Sequence, residues 1–346
     1  MHPIVTAYCF PWHITTSPAF RYLLAEPLAP FLDVEFIAQP DLMVDTDDPL
    51  PTSQPIVFCQ RAPFPAWLAN DRARIIWIPM WDMVHSLPQS WWDALPKTLR
   101  IVAFSDAVAA RSQSAGLPTL HLRYAQDPDD FPAVNWQTER TLMYWNRTGL
   151  VSPGVLRRLC ETMDVRQVFF RGKLDPYIPR SAAYQLPRRM GKANVQIMPD
   201  SMPHEIYLAL LAQTHLYIAP RAQEGVGLTF LEAMASGCVV VAADAPTMNE
   251  YLRHGQTGVL LSFNHDADER NRRLLTFNRQ RILKRWRRRI WGPFFQHPIT
   301  EPYIPSNTLE QSDLGSMGQV ARSFLVTTYQ MWKNRLAEYA QFILEW

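Results

Sequence analysis

Two glutamates separated by seven residues, Glu224 and Glu232, have neighbours that suit ligand binding. The pattern predicts Glu224 in a loop and Glu232 about one turn into the following helix, so that both carboxylates can face one ligand. Gly225 and Gly227 open this helix, and a helix start presents unpaired backbone N–H groups that suit a phosphate. A carboxylate can also accept one hydroxyl hydrogen bond on each oxygen. The segment therefore predicts a site for a ligand that carries phosphate and hydroxyl groups.

The elements that position these glutamates form a strand–loop–helix–strand unit. Apolar strands are predicted at residues 216–220 and 238–242, and Gly237 closes the helix between them, as glycine past a helix end commonly does. The same alternation of strands and helices runs along most of the chain. It predicts parallel sheets that are covered on both faces.

Two sets of strands are predicted, and they indicate two domains. The first set comprises residues 4–9, 34–37, 55–59, 75–78, 100–104 and 119–123, with helices at 19–32 and 106–115 and Ser105 as the cap of the second helix. The second set comprises residues 141–145, 168–170, 195–198, 216–219, 239–242 and 259–262. Residues 124–131 are turn-rich and predict a linker, residues 171–192 predict an inserted loop, and 319–346 predict one long helix. We therefore expect domains at 1–135 and 136–318.

Composition sets limits on the class of protein. The chain has 346 residues, 47% of them hydrophobic and 19% charged, which is enough for two domains with substantial cores. Its apolar runs are shorter than the eighteen or so residues of a membrane span, and its start lacks the features of a signal peptide. The four cysteines are isolated and mostly set in apolar strands, so we expect buried, reduced thiols in a cytosolic protein.

Roughly residues 195–262 strongly resemble the retaining glycosyltransferases of family 4. The resemblance rests on the spacing of Glu224 and Glu232, on the strings Glu-Gly-Val-Gly-Leu and Glu-Ala-Met-Ala-Ser-Gly, and on the downstream segment 250–261. It implies the GT-B fold, an α/β architecture in which two doubly wound, Rossmann-like domains face each other across a cleft. It also implies that the helix 319–346 returns to brace the first domain. The expected reaction is metal-independent and retains the configuration of the anomeric carbon.

The resemblance implies a role for each donor-site residue. Glu232 would accept the ribose hydroxyls, and Glu224 would hold the hydroxyls of the sugar. Arg147 matches a cation of the family, whereas the family's lysine is missing nearby, so Arg171 and Lys173 are expected to help neutralise the diphosphate. The residues expected to bind the donor are Arg147, Arg171, Lys173, Glu224, Gly225, Val226, Gly227, Leu228, Thr229 and Glu232, and the catalytic ones are Glu224, Arg147 and Lys173. Alternatively, the two glutamates are ordinary helix acids, and Arg171 and Lys173 are surface charges.

An acceptor site is expected in the first domain. Trp81, Asp82 and His85 follow a predicted strand, and the segment resembles family members that carry Met-Trp-Glu there. Indole faces can stack on sugars and a carboxylate can accept hydroxyl groups. The alternative is that the tryptophans of this segment pack the core. The loop 12–18 stands where the family often has a glycine-rich loop.

Charged clusters outside these sites admit other interpretations. Asp45, Asp47 and Asp48, and likewise the acidic run 127–130, could suggest a metal site, but proline-bearing connectors favour solvated loops, and we expect no metal. Ten Lys or Arg and no acid lie between residues 270 and 289, in a chain of net charge +2. Residues 270–291 could form a basic amphipathic helix at an anionic membrane surface, a helix packed on its domain, or, least favoured, a nucleic-acid site.

The sequence thus predicts a retaining glycosyltransferase. It would move a sugar from a UDP- or GDP-linked donor to a hydroxyl of a glycan or lipid-linked glycan in polysaccharide assembly. The nucleotide sugar is a substrate, and we expect no cofactor. We expect it in the cytoplasm, peripheral to the membrane if the basic segment binds lipid, and without a nucleic-acid partner. Two alternatives remain open: a GT-B sugar-nucleotide epimerase, and a non-catalytic nucleotide-sugar-binding protein.

Overall fold

The computed structural model describes residues 2–15, 17–39, 54–70, 72–175, 178, 183–261 and 313–346. The chain divides into two compact units. The first comprises residues 1–125, 224–228 and 328–346, and the second comprises 126–223 and 229–327. The division near residue 125 falls at the start of the turn-rich segment, a little before the predicted boundary at 135.

The first unit is built on a six-stranded, fully parallel sheet. Its strands are β1 Ile4–Cys9, β2 Asp33–Ala38, β3 Ile56–Cys59, β4 Ile75–Ile78, β5 Arg100–Ala103 and β6 Thr119–His121. Their order is β2-β1-β3-β4-β5-β6, so successive strands are added on one side of β1 and then on the other. Every residue of β3 and β4 is buried, as expected for strands covered on both faces.

Short helices cover this sheet. They are α1 Trp12–Thr15, a π-helical turn Arg21–Ala25, α2 Glu26–Leu28, α3 Pro65–Leu68, α4 Trp81–Val84, α5 Gln89–Asp93 and α6 Asp106–Ser114. The Ser105 hydroxyl accepts the Val108 N–H at 3.2 Å, which confirms the predicted cap of α6. The helix predicted at 19–32 is shorter than expected and ends at Leu28. Pro30 lacks the N–H that would continue it.

The second unit contains a seven-stranded sheet. Its strands are β7 Thr141–Trp145, β8 Gln167–Arg171, β9 Arg189–Met190, β10 Ala193–Ile197, β11 Leu216–Ile218, β12 Val239–Ala243 and β13 Gly258–Leu261. The order is β13-β12-β11-β7-β8-β10-β9, and all neighbours are parallel except the edge strand β9. The expectation of a loop throughout 171–192 is therefore wrong at its end, because β9 pairs with β10 there.

The helices of the second unit follow its strands. They are α7 Pro153–Thr162, α8 His204–Leu211, α9 Leu228–Ala235 and α10 Met248–Tyr251. A turn of 3-10 helix at Pro128–Asp130 lies near its start. Two doubly wound parallel sheets, each with its own core, confirm the predicted GT-B fold class.

The C-terminal segment forms two helices where the sequence predicted one. They are α11 Leu314–Asn334 and α12 Leu336–Leu344, and the backbone leaves the helical conformation at Arg335. From Thr328 onward the segment belongs to the first unit. There Trp332 packs against Phe104, Tyr124 and Tyr339.

Candidate functional site

Three arginines lie where three neighbouring strands of the second sheet end. Arg147 follows β7, Arg171 is the last residue of β8, and Arg221 follows β11. Strands β11, β7 and β8 are adjacent and parallel, so their carboxyl ends share one edge of the sheet. The chain leaves β7 to build one side of the sheet and later returns to place β11 on the other. Ligands of open α/β sheets bind in the crevice at such a switch point.

A buried carboxylate, Asp175, joins two of these arginines. Its Oδ1 accepts a hydrogen bond from Arg147 Nε at 2.8 Å, and its Oδ2 accepts from Arg221 Nε at 2.9 Å and Nη2 at 2.6 Å. The Asp175 side chain is 10% exposed, against 23% for Arg147 and 19% for Arg221. The carboxylate thus lies deeper than the two guanidinium groups that it orients.

Trp145 at the end of β7 contacts two of the arginines. The guanidinium of Arg171 lies 3.9 Å from the centre of an indole ring and that of Arg147 lies 4.6 Å from it, both within cation–π range. Burial lowers the pKa of Arg171; the charge of Asp200 opposes the shift, and that of Arg147 adds to it. Like charges held together at a sheet edge indicate a site for an anion.

Lys173, the remaining predicted cation, differs from the three arginines. The Lys173 carbonyl accepts the Trp145 indole N–H at 2.9 Å, so the backbone of Lys173 belongs to this cluster. Its side chain is exposed. Sequence reasoning missed both Arg221 and Asp175. The available signal was the position of Arg221, directly after a strand and beside Pro220.

Glu232 is the fifth residue of α9 and is almost fully buried, with 8% exposure. Burial raises the pKa of Glu232 to about 7, and the side chain of Tyr207 partly offsets this rise. A carboxylate in such surroundings lacks the solvation that water would provide. Hydroxyl groups of a ligand would stabilise its charged form by donating hydrogen bonds.

The loop before α9 belongs to the first unit from Glu224 to Leu228. Glu224 is 8% exposed, and Gly227 has a φ of 76°, a left-handed conformation that favours glycine. Helix α9 begins at Leu228, and Gly237 follows its end with a φ of 79°, as the sequence predicted. Gly225 and Val226 are buried and Thr229 is partly buried. Because Glu224 and Glu232 belong to different units, their joint contact with one ligand stays a prediction.

In the first unit, Asp82 lies beside two residues that sequence reasoning did not select. His13 follows β1, Gln60 follows β3, and Asp82 follows β4. The His13 Nε2 lies 2.6 Å from Gln60 Oε1, and Gln60 Nε2 donates to Asp82 Oδ1 at 3.5 Å. Strands β1 and β3 flank the switch point of this sheet, which places the three side chains where a ligand of such a sheet binds.

Gln60 has an unusual backbone conformation. Its φ is 65°, in the left-handed region that non-glycine residues rarely adopt, while its N–H donates to the Ile78 carbonyl at 2.9 Å. Such strain costs about 1–3 kcal/mol and is concentrated at functional sites. Burial lowers the pKa of the neighbouring His13, and its hydrogen bonds with Gln60 and the Ser17 carbonyl oppose this shift.

The other two predicted acceptor residues, Trp81 and His85, make contacts within the first unit. Trp81 is buried in the core of the first unit, and the guanidinium of Arg111 lies 4.8 Å from the centre of its ring. The His85 Nδ1 lies 3.0 Å from the Asp82 carbonyl oxygen, and burial lowers the pKa of His85. Trp77 and Trp92 are fully buried and stack at 5.6 Å, so core packing accounts for them.

The acidic residues that could have suggested a metal have other contacts or lie outside the described residues. Asp127 accepts the Asp129 N–H at 3.1 Å, and Asp129 pairs with Arg322 at 3.4 Å. Within the described ranges, no group of three or more His, Cys, Asp or Glu could hold a metal ion. Asp45, Asp47 and Asp48, together with the basic segment 270–291, lie outside the part of the chain that the structure describes.

Among the helices that the structure describes, none is both long and apolar enough to cross a membrane.

Comparisons with known proteins agree with this architecture. Residues 183–289 match the sequence model of the family described as glycosyl transferases group 1. A stretch of 47 residues is 51% identical to the lipopolysaccharide core biosynthesis mannosyltransferase LpcC of Rhizobium leguminosarum bv. viciae. That stretch covers 14% of this chain and 13% of LpcC, so the chain spans only a small part of this curated relative.

Solved structures match over nearly the whole chain. A glycosyltransferase from Rickettsia africae ESF-5 has a TM-score of 0.61 and 12% identity, with 99% of each chain covered. The Anabaena protein HepE, in complex with UDP and glucose, has a TM-score of 0.57 and 13% identity, with 97% of this chain and all of that chain covered. At such low identities the likeness shows the fold. Residues 183–289 thus carry a sequence similar to the group 1 glycosyl transferases, and the chain shares the GT-B fold of these solved structures.

Proposed function

We propose that the protein is a retaining glycosyltransferase that transfers a sugar from a nucleoside-diphosphate donor to a hydroxyl group of a glycan or lipid-linked glycan. The observation that carries the proposal is the arginine cluster at the switch point of the second sheet. Arg147 and Arg221 follow the two strands on either side of the switch point and share the buried Asp175, and Arg171 stacks on Trp145 beside them. A diphosphate is the part of such a donor that needs several cations at once.

The remaining donor contacts are the ones that the resemblance to family 4 implies. Arg147, Arg171 and Lys173 neutralise the charge that develops on the departing diphosphate. Glu232 accepts the ribose hydroxyls, and Glu224 with the N–H groups of residues 225–229 holds the sugar ring. Catalysis then rests on orientation and electrostatic stabilisation. The acceptor hydroxyl attacks on the face that the diphosphate leaves, and a phosphate oxygen takes its proton.

The acceptor would bind in the first domain beside Asp82. This side chain is partly exposed and is linked to His13 through Gln60, so three polar groups from three loops can meet the hydroxyls of a sugar. Trp81 and His85 would help to position Asp82, because Trp81 lies in the core and His85 contacts the backbone of Asp82.

Relatives support the choice of substrates. LpcC is named as a mannosyltransferase of lipopolysaccharide core biosynthesis, and HepE has been solved with UDP and glucose and with UDP-glucose. A donor linked to UDP or GDP and an acceptor from a bacterial surface glycan are therefore the first to be tried.

One experiment separates this function from its alternatives. The full chain is incubated with UDP- and GDP-sugars, with and without lipid-linked saccharide acceptors, in the presence of EDTA, and the products are examined by mass spectrometry and NMR. We expect a longer glycan with the donor's anomeric configuration and no requirement for added metal. Conversion of the donor without an acceptor would indicate an epimerase, binding without turnover a non-catalytic protein, and inversion or strict metal dependence a different mechanism.

A further inference from the structure

We infer that Arg221 is a second diphosphate-binding residue beside Arg147 and that Asp175 is the positioning residue that orients both. The inference rests on the proposed function, because it concerns the donor site of the same crevice. Arg221 lies 46 positions after Asp175 in the sequence. In the described part of the chain it is the only arginine at the carboxyl end of β11.

The two guanidinium groups come from strand ends on either side of the switch point. Arg147 follows β7 and Arg221 follows β11, which are the two strands on either side of the switch point. A ligand in this crevice lies between the two strand ends. Arg147 and Arg221 therefore can approach one diphosphate from both sides.

Asp175 holds both guanidinium groups by hydrogen bonds. A guanidinium has five N–H donors in a rigid plane. Asp175 engages one of those on Arg147 and two of those on Arg221, and in both arginines the Nε group is among them. Holding the Nε edge fixes the direction of the plane, and the planar fork is then presented with little loss of entropy on binding.

Asp175 is buried, and its own backbone is anchored to Arg147. Asp175 is less exposed than either arginine, and its own N–H donates to the Arg147 carbonyl at 2.8 Å. The carboxylate is therefore more buried than the guanidinium groups that it contacts. It is placed to orient the two cations and to reduce their repulsion. A carboxylate that occupied the position of the phosphate would be the more exposed partner.

Charge supports the same assignment. Arg147, Arg171 and Arg221 carry three positive charges, and Asp175 cancels one of them. The cluster therefore keeps a net positive charge, which attracts a diphosphate and has no such effect on an uncharged nucleoside. Removing Arg221 should weaken the binding of nucleoside diphosphates much more than the binding of nucleosides.

The test compares Arg221→Gln, Arg221→Lys and Asp175→Asn with the wild-type full chain. Affinities for UDP and GDP, for the corresponding monophosphates and for the nucleosides are measured by calorimetry, and the melting temperature of every variant is recorded. Arg166→Gln and Asp164→Asn are matched controls, since they break an exposed ion pair of 3.1 Å in the same unit.

We expect Arg221→Gln to weaken diphosphate binding roughly ten- to hundred-fold, the range for one charge-assisted hydrogen bond, and to leave nucleoside binding within about three-fold. Arg221→Lys should recover part of the loss, because it keeps the charge and loses the fork. Asp175→Asn should weaken diphosphate binding in the same direction, and the controls should match the wild type.

Three outcomes would overturn the inference. One is unchanged diphosphate affinity in folded Arg221→Gln, and another is an equal loss for nucleosides, which would make the arginine merely structural. Tighter diphosphate binding by Asp175→Asn would show that the carboxylate competes with the ligand. A wild-type protein that binds neither UDP nor GDP would instead contradict the proposed function itself.

Discussion

Arg147 and Asp175 are joined by hydrogen bonds in both directions. The Arg147 Nε donates to the carboxylate at 2.8 Å, and the Asp175 N–H donates back to the Arg147 carbonyl at 2.8 Å. This ring ties the loop after β7 to the loop after β8. It fixes the guanidinium of Arg147 at the edge of the second sheet, where the proposed donor binds.

Replacing Arg147 should harm activity more than stability. In the proposed function the Arg147→Ala variant loses a cation at the leaving diphosphate, so we expect kcat/KM to fall by at least about 100-fold. Asp175 keeps its two hydrogen bonds with Arg221, so the free energy of unfolding should fall by only about 1–2 kcal/mol. Steady-state kinetics and urea unfolding measure the two effects. Wild-type turnover by the variant would remove Arg147 from the site.

Glu232 should make the protein less stable as the pH rises. Its pKa is raised from 4.5 to about 7 by burial, so the folded protein holds this proton more tightly than the unfolded chain. Between these two values the folded state binds more protons, and the stability from this group is lost as the pH rises from 4.5 to 7. The full effect is on the order of 3 kcal/mol.

The Glu232→Gln variant tests this assignment. Glutamine is neutral at every pH, so the variant should gain stability over the wild type by up to about 3 kcal/mol at pH 8 and much less at pH 4.5. Chemical unfolding at a series of pH values gives the difference. Exposed Glu139→Gln serves as the control and should show no such trend. A constant difference between wild type and Glu232→Gln would contradict the prediction.

Gln60, with its strained backbone, offers a test of the proposed acceptor site. In Gln60→Ala the side-chain contacts with His13 and Asp82 are lost while the strain of a positive φ stays, whereas Gln60→Gly also relieves the strain. We expect Gly to be about 1 kcal/mol more stable than Ala at this position. Both variants should lose transfer to acceptor and keep the wild-type affinity for the nucleotide. Full transfer activity in both would exclude Gln60 from the acceptor site.

The basic segment 270–291, which lies outside the described residues, gives a prediction about membranes. If it binds an anionic surface, the full chain should float with vesicles that contain phosphatidylglycerol and stay unbound with phosphatidylcholine alone. A variant with Arg281, Lys284, Arg285 and Arg288 changed to glutamine should no longer float. If this variant floats as well as the wild type, the basic segment does not mediate membrane binding. A helix packed on its domain is then the favoured interpretation of the segment.

The sequence by itself determined most of the fold and part of the proposed donor site. Strand β7 was predicted with its observed bounds and the start of α9 at the glycines before it, because apolar runs, caps and glycines act over a few residues. Arg147 could be selected because it follows an apolar strand at the position that the family uses. Short-range patterns of this kind can be read without knowing which strands are neighbours.

Only the tertiary structure decided which charged groups meet. Asp175 lies in a segment that the sequence marked as a loop, and it is 28 positions from Arg147 and 46 from Arg221. His13 and Gln60 are likewise 47 positions apart. Such contacts depend on the order of strands in each sheet, which brings the ends of β7, β8 and β11 to one edge and those of β1, β3 and β4 to another. No local pattern of residues encodes that order, because it is set by the packing of whole elements.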